Sequence, residues 1–323
     1  MGAAMIHLGC GLEFQQPSVV AEALASACIH DNWPKNVLLP TEEYVRSNEK
    51  TRTKPLLQAL ESLRSDLVIA SGVKASDPFN KIRDGLLKRV PEEHLVPYLS
   101  QFQVKSEAQD LQRKLGEMMQ TCAYMTGAAQ QPGKLEAIDY VLLHSVTLSI
   151  HYPAILALDW LSDRDKARLL EAKGRMDALT YAGCGSPRLH PERIRNYVPK
   201  YPDHGWPELF QRAVVYRDEG HVAKLIRGLY GLEQLDETIV VPELPIRKPD
   251  FVKIAHMVLD STERLVNPNS SMLPDKVLDA MASQVGLGGE MVVNNRKRWV
   301  FYCGLDRAWQ FFPDLEAEAV QSR

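Results

Sequence analysis

A histidine and a lysine stand three residues apart in the run Arg217–Leu232, whose sequence is RDEGHVAKLIRGLYGL. A helix is predicted here, because at about 100° per residue the apolar side chains gather on one side. His221 lies at the edge of that side and Lys224 beyond it, so the two are neighbours on one face. Gly228 and Gly231 complete this sector, which predicts either a close helix neighbour or room for a small molecule. A boundary histidine beside a solvated lysine would give the same pattern.

A second histidine lies in the run Leu135–Ile150, which predicts a buried helix because it is apolar nearly all round. One sector of this run is polar, with residues at spacings of four, three and four: Tyr140, His144, Thr147 and His151. Buried polar groups must be hydrogen-bonded, so this stripe predicts a ligand, a partner or ordered water. A histidine bonded to a neighbouring backbone carbonyl would explain it equally well. If the two histidines form one site, the sector of Gly228 should be open space that faces His144.

Two further places carry histidines. His7 lies between an apolar run and two glycines, a setting that by itself favours no function. On the predicted helix Pro249–Val266, one polar line contains Lys253, His256, Asp260 and Arg264. Such a line is typical of a solvated face, although the spacing would also let Asp260 orient His256.

None of these pairs has the spacing of a strong metal site, and a protonated lysine repels a cation. Lys224 becomes a ligand only if its amine is neutral and takes up CO2 as a carbamate, which supplies a carboxylate oxygen. Loss of water contact and a nearby metal both favour the neutral amine. Together with histidines, that oxygen would imitate the histidine and carboxylate ligands of non-haem Fe(II) oxygenases.

The elements that must position these side chains are predicted to be helices, with Met291–Tyr302 as the one stretch of strand character. The fold class is therefore all-α: a single large helical domain over residues 1–323, with long proline-rich loops and little or no sheet. Asn32–Pro40 and Pro187–Pro207 are predicted to be irregular, and Asn267–Pro274 a polar loop. The predicted helices are Ser18–His30, Lys54–Leu67, Phe79–Val90, Pro91–Ser100, Ser106–Gly127, Leu135–Ile150, Asp163–Tyr181, Trp206–Tyr216, Gly220–Leu235, Pro249–Val266 and Pro274–Val285.

Composition and motifs exclude several classes of protein. A net charge of −3 with interspersed signs gives no footprint for nucleic acid or an anionic membrane. No apolar run reaches the ~20 residues of a membrane span. Five cysteines without a C-x-x-C motif indicate reduced thiols, and no secretory signal opens the chain, so we expect a cytoplasmic protein. The G-x-G-x-x-G, H-E-x-x-H and G-x-S-x-G motifs are absent, which argues against a Rossmann-bound flavin, a zinc peptidase and an α/β-hydrolase.

Several motifs of this chain occur together, and in the same order, in one fungal family. The chain resembles the questin oxidase-like family in the motifs IHLGCGLEF (Ile6–Phe14), EALA (Glu22–Ala25), LHSVT (Leu143–Thr147), GHVAKLIR (Gly220–Arg227) and KIAHM (Lys253–Met257), and in Trp299, Gly304, Asp306 and Trp309. The resemblance implies an oxygenase of fungal secondary metabolism that opens an anthraquinone or related aromatic polyketide to a benzophenone, formally a Baeyer-Villiger outcome. Its partners would be that polyketide and O2. It also implies a non-haem Fe(II) held by histidines and a carboxylated lysine, NADPH as electron donor, and no flavin.

Carried over residue by residue, the resemblance implies that His7, His144 and His221 are metal ligands and that Lys224 is the carboxylated lysine. His144, His221 and Lys224 would then be the catalytic group, and Lys253 with His256 is the competing pair. Members of the family continue N-terminally beyond the HLG motif into a histidine-rich stretch, so we expect this chain to lack part of the family's ligand set.

Two alternatives stay open at this point. One is a truncated, catalytically inactive helical relative that acts as a binding or scaffold protein. The other keeps the ring-opening reaction but uses NADPH without a metal.

Overall fold

The computed structural model describes residues 2–48, 51–216, 218, 220–235, 241, 243–265, 298–310 and 312–315. These residues are mostly helical, and the sheet-like pairing among them is limited to the isolated bridges Lys134–Asp314 and Asp139–Val300. The predicted all-α fold class is confirmed. The helices are α1 (Gly2–Glu13), α2 (Pro17–Ile29), α3 (Lys35–Ser47), α4 (Leu56–Ser65), α5 (Leu67–Ala70), α6 (Leu87–Arg89), α7 (Glu92–Leu99), α8 (Ala108–Ala128), α9 (Tyr140–Ser149), α10 (Tyr152–Leu156), α11 (Asp163–Gly183), α12 (Pro191–Arg195), α13 (Trp206–Val215), α14 (His221–Glu233) and α15 (Lys248–Leu265).

Helix α8 lies at the centre of the core, where it contacts α4, α9, α11, α12, α14 and α15. All residues from Lys114 to Ala128 are buried, because neighbours cover this helix on every side. Helices α9 and α14 pack on α8 and on each other, and α1 packs against α2, α9 and α10. This arrangement brings the two predicted histidine helices side by side.

The run Leu135–Ile150 is helical only from Tyr140 onwards, so its predicted N-terminal boundary is wrong. The residues before α9 pair instead with residues 298–310 and 312–315, which we call the closing segment. For example, Leu135 N–H donates to Pro313 O at 2.9 Å. His151 lies beyond the C-cap of α9 and precedes α10. It therefore does not continue the polar stripe of this helix.

Two other predictions about the chain path need correction. Asn32–Pro40 is not a simple break, because α3 starts at Lys35 and carries Pro40 inside it. Pro40 removes one backbone hydrogen bond from α3, because proline has no N–H. The helix still forms, since its inner face is buried through Val37 and Thr41. Pro187–Pro207 likewise contains α12.

The predicted loop Asn267–Pro274, the predicted helix Pro274–Val285 and most of the predicted strand Met291–Tyr302 lie outside the described residues. Within the described end of that strand, Val300 forms a single parallel bridge with Asp139. None of the described helices combines the length and the apolar character that crossing a membrane requires.

Candidate functional site

Helix α9 is fixed at its first turn by a buried carboxylate. Asp139 is 1% exposed. Its Oδ1 accepts from the N–H groups of Val141 and Leu142 at 2.7 and 2.8 Å. Its Oδ2 accepts from Cys303 N–H at 2.8 Å. Burial raises the pKa of this carboxyl, and its backbone hydrogen bonds oppose that rise. One acid therefore caps the helix that carries His144 and ties it to the closing segment.

Helix α14 begins at His221, one residue after the start of the predicted helix Gly220–Leu235 and later than the start of the run Arg217–Leu232. Gly220 has φ +76°, a left-handed conformation that glycine adopts without strain, and it directs the chain into the helix. The carboxylate of Asp218 accepts from Gly220 N–H at 2.7 Å and from Val222 N–H at 2.9 Å. His221 thus occupies the first helical position, where its ring faces α9.

Four rings meet between α9, α14 and the closing segment. The centroids of His144 and His221 are 5.3 Å apart. Tyr140 lies 5.0 Å from His144 and 4.9 Å from His221. Phe301 stacks on Tyr140 at 4.7 Å with an interplanar angle of 23°. His221 is buried, whereas the other three residues keep part of their surface exposed, so this ring cluster is only partly closed to solvent.

Both histidines of the ring cluster are neutral near pH 7. Loss of water contact, together with His144 and Lys224, lowers the pKa of His221 to about 3. The pKa of His144 is also lowered, chiefly by loss of water contact and in part by Lys224. The Nδ1–H of His144 donates to Tyr140 O at 2.6 Å, which leaves Nε2 with a free lone pair. The predicted histidine-to-carbonyl bond is therefore present, and it orients a nitrogen that can act as an acceptor or a ligand.

Lys224 is partly buried one turn after His221. Its positive charge disfavours protonation of His144, His151 and His221. Among the described residues, no carboxylate forms an ion pair with its amine. The ring cluster therefore borders a cation that has no acidic partner in this part of the chain.

The glycine sector of α14 differs from its prediction at one of two positions. A Cβ on Gly228 would lie 2.8 Å from Ile150 Cγ2 and 3.0 Å from Val146 Cγ1. This position is therefore a close contact between α14 and α9, and the expectation of open space there is wrong. A Cβ on Gly231 would meet no atom within 4 Å. Close approach at Gly228 holds the two histidine helices together.

Comparison with known proteins adds the family. The model of the questin oxidase-like family matches residues 1–229, more than half of the chain. This chain belongs to the questin oxidase-like family. The family predicted from the ordered motifs is thereby confirmed.

Three relatives show how far the similarity extends. Oxidoreductase AflY of Aspergillus parasiticus is 45% identical over 313 residues, which is 97% of this chain and 63% of that protein. Baeyer-Villiger monooxygenase dmxR6 of Cryptosporiopsis sp. is 34% identical, covering 96% of this chain and 65% of that protein. Questin oxidase of Aspergillus fumigatus is 34% identical, covering 80% of this chain and 59% of that protein. The chain thus spans less than two thirds of the length of each of these questin oxidase-like relatives.

Of the four metal-site residues that the family resemblance implies, the structure brings three into one neighbourhood: His144, His221 and Lys224. His7 lies on α1, is 41% exposed, and places Nε2 3.5 Å from Glu22 Oε2. No group of three or more histidine, cysteine, aspartate or glutamate side chains in the described ranges is arranged to hold a metal ion. The two imidazoles suit part of a ligand set, and the role of His7 stays a prediction.

The competing pair on α15 lies elsewhere. Lys253 Nζ donates to Arg195 O at 2.8 Å, and His256 Nε2 lies 3.0 Å from His204 O. His256 and Asp260 are buried, so the expected solvated face is wrong at these positions. Asp260 does not orient His256, because its carboxylate accepts from Tyr197, Arg212 and the backbone N–H of Lys200.

Sequence reasoning missed two residues of the site, Phe301 and Asp139. The signal for Asp139 was its place directly before an apolar helical run, the N-cap position that aspartate favours. Phe301 carried no comparable signal, because its position depends on the pairing of the closing segment with residues before α9.

Two cavities of about 260 and 300 Å³ lie elsewhere in the described chain. The first is lined in part by Trp33 and Arg83, and the second by Arg64, Ser186 and His190. Neither is lined by a residue of the ring cluster.

Proposed function

We propose that this chain belongs to an oxidoreductase that opens a ring of an anthraquinone or related aromatic polyketide to give a benzophenone. The observation that carries the proposal is the ring cluster: two neutral histidines packed with two aromatic side chains beside Lys224, whose amine has no carboxylate partner among the described residues. Relatives named questin oxidase and Baeyer-Villiger monooxygenase support the reaction class. Because the chain spans less than two thirds of those relatives, the reaction is an inference from the site and the family together.

The side chains of the cluster suit a flat phenolic substrate. Tyr140 and Phe301 offer stacked aromatic faces against which a fused ring system can pack. The Nε2 of His144 can accept a phenol proton, because its Nδ1–H is already donated to Tyr140 O. The ammonium of Lys224 would stabilise the phenolate that results. The protein thus orients the substrate and holds its charge where oxidation begins.

A metal, as the resemblance implies, would use the same side chains. His144 and His221 would supply two neutral nitrogen ligands, and a carbamate on Lys224 would supply an oxygen. His7 would have to leave Glu22 in order to join them. Fe(II) bound there would supply the one-electron chemistry that lets O2 react with a singlet organic molecule.

Oxygen uptake tests the proposed reaction. Purified protein supplied with Fe(II), NADPH and an anthraquinone hydroquinone should consume O2 and release a benzophenone. His221→Ala and Lys224→Ala should each lower the rate by about a hundredfold or more, since losing a ligand should cost at least as much as losing a residue that supports one. Lys88→Ala is the matched control, because Lys88 is 67% exposed and pairs only with Asp84. Turnover by the two site variants at the control rate would contradict the site.

Further measurements separate the alternatives. Metal analysis distinguishes the iron reaction from one that uses NADPH alone, and labelling with 13C-bicarbonate should give a carbamate signal that Lys224→Arg loses. The described ranges hold no group of three or more histidine, cysteine, aspartate or glutamate side chains arranged for a metal ion, so the inactive binding protein stays the second candidate. Tight binding of the anthraquinone, with no O2 uptake under any of these conditions, would identify that candidate as the correct one.

A further inference from the structure

A second group of reactive side chains lies where α1 meets His151. The Nε2 of His151 is 3.7 Å from Cys10 Sγ, and its Nδ1 is 2.9 Å from Glu13 Oε2. Cys10 and Glu13 are one turn apart, so the same face of α1 holds both partners of the imidazole. The order is nucleophile, base and orienting acid, the arrangement that activates nucleophiles in enzymes.

Neighbouring residues fix the positions of Cys10, Glu13 and His151, which we call the thiol cluster. A Cβ on Gly9 would lie 2.4 Å from both Cβ and Cγ of His151, so only glycine lets α1 lie directly against the ring. Arg227 of α14 pairs with the second oxygen of Glu13. Its guanidinium also lies over the ring of Phe14 at 5.2 Å. His151 is 1% exposed, whereas the cysteine keeps part of its surface exposed, so the base is closed to solvent and Cys10 is not.

The hydrogen bonds define how the thiol and the imidazole share protons. With Nδ1–H donating to Glu13, the Nε2 of His151 carries a lone pair that accepts from the Cys10 thiol. Burial lowers the pKa of His151, so the ring is neutral near pH 7 and can take up a proton during a reaction.

The surroundings of the sulfur decide which reaction class it fits. Cys10 lies within α1, where backbone N–H groups are taken by helix hydrogen bonds. Helix α1 itself therefore offers no set of free N–H groups at Cys10 to hold the oxyanion that an acyl transfer would form. Attack by sulfur on a small electrophile needs only the base, and a small electrophile can reach the exposed part of the side chain.

We propose that Cys10 is a peroxide-reactive thiol, with His151 as its general base and Glu13 as the residue that positions this base. The sulfur attacks one oxygen of a hydroperoxide, and an S–O bond forms while the O–O bond breaks. The thiol proton passes to Nε2 of His151 and from there to the departing oxygen. With hydrogen peroxide the products are a sulfenic acid and water, so sulfur loses the two electrons that the peroxide gains. The reaction needs neither a metal nor an aromatic substrate, so it stands apart from the ring-opening proposal.

The chain contains its own reference thiol for the test. Cys28 is exposed on α2, whereas Cys122, Cys184 and Cys303 are buried. The native protein would be treated with hydrogen peroxide in the presence of dimedone, and the adducts on Cys10 and Cys28 quantified by peptide mass spectrometry. We expect Cys10 to react at least about ten times faster than Cys28, because general-base assistance outweighs its lower exposure. Reaction of Cys28 at an equal or higher rate would overturn the proposal.

Two variants separate a base from a packing residue. His151→Asn should slow the labelling of Cys10 to no more than the rate of Cys28, and Glu13→Gln should slow it by a smaller factor. If His151 only packs, the smaller side chain exposes Cys10 and the labelling becomes faster, which would contradict the assignment. His190→Asn is the matched control, because His190 pairs with Glu192 at 2.8 Å but bonds to no thiol in the described chain. The rate at Cys10 should not change in that variant.

Discussion

Two lysines on either side of α9 have opposite surroundings. Lys173 is buried on α11, where its Nζ lies 2.5 Å from Asp177 Oδ1 and donates to Ser145 O at 3.1 Å. Burial opposes its charge, but the attraction of Asp177 outweighs this and raises the pKa of Lys173. Lys224 is partly buried on α14 beside neutral imidazoles, with no carboxylate partner among the described residues. Two neighbouring regions of one core thus hold a lysine that is paired with a carboxylate, Lys173, and a lysine without such a partner among the described residues, Lys224.

The difference makes Lys173 a structural lysine, whereas we propose a chemical role for Lys224. An ammonium locked to a carboxylate cannot lose its proton without leaving a buried negative charge, so Lys173 serves the fold. Lys224 has no such carboxylate partner among the described residues, so a change at its amine would break no ion pair there. We therefore propose Lys224, and not Lys173, as the lysine on which a ligand, a metal or CO2 would act.

The largest effect should come from the same substitution made at both lysines. Lys173→Met leaves Asp177 buried without its partner and should lower the free energy of unfolding by about 3 to 5 kcal/mol. Lys224→Met breaks no ion pair in the part of the chain that the structure describes and should change the free energy of unfolding by less than about 1 kcal/mol. Urea unfolding of both variants measures the contrast, and equal losses would mean that Lys224 is also a structural residue.

A smaller effect should appear in the pH dependence of stability. The folded pKa of His221 is about 3 against an ordinary value of 6.5, so the unfolded chain binds more protons between these values. The contribution of His221 to the free energy of unfolding is therefore fully present above pH 6.5, and it is lost as the pH drops towards 3. Between pH 7 and pH 5 the wild type should lose about 2 kcal/mol more than His221→Asn. Parallel losses in the two proteins, measured by urea unfolding at both pH values, would show that His221 is not held neutral.

The smallest effect concerns the two glycines that follow Lys224 on its helix. Gly228→Ala pushes a methyl group against Ile150 and Val146, and the strain offsets the gain in helix propensity. Gly231→Ala meets open space and should stabilise the protein by up to about 1 kcal/mol. Thermal unfolding should place Gly231→Ala above the wild type and Gly228→Ala below it. The reverse order would mean that α14 does not approach α9 at Gly228.

Periodicity was sufficient for most of the helices and for the core. The apolar stripe of α8 was readable because its residues repeat at helical spacing, and all of these side chains are buried: Leu111, Leu115, Met118, Met119, Cys122 and Met125. Helix boundaries were less readable, since they depend on side-chain caps such as Asp139 and Asp218. Pro40 led to a predicted irregular segment where α3 forms, because burial of one face of α3 outweighs the loss of one backbone hydrogen bond.

Only part of the candidate site could be predicted from the sequence, because the rest depends on contacts between distant parts of the chain. His144 and His221 could be proposed from their places on two apolar helices, and family motifs strengthened the pairing. Their contact with Phe301 depends on chain segments that are distant in sequence, which no local pattern reports. The bond between His151 and Cys10 is equally non-local, and the sequence assigned His151 to the wrong helix.

The bond from Cys303 N–H to Asp139 has a consequence for the order of folding. It joins residues 164 positions apart, and a contact of such long range forms late because the intervening chain must first be ordered. Helix α9 can form early from its own sequence, but its N-terminal anchor and the ring of Phe301 come from the end of the chain. We therefore expect the histidine pair to become rigid only in the last folding phase, after most of the helical core has formed.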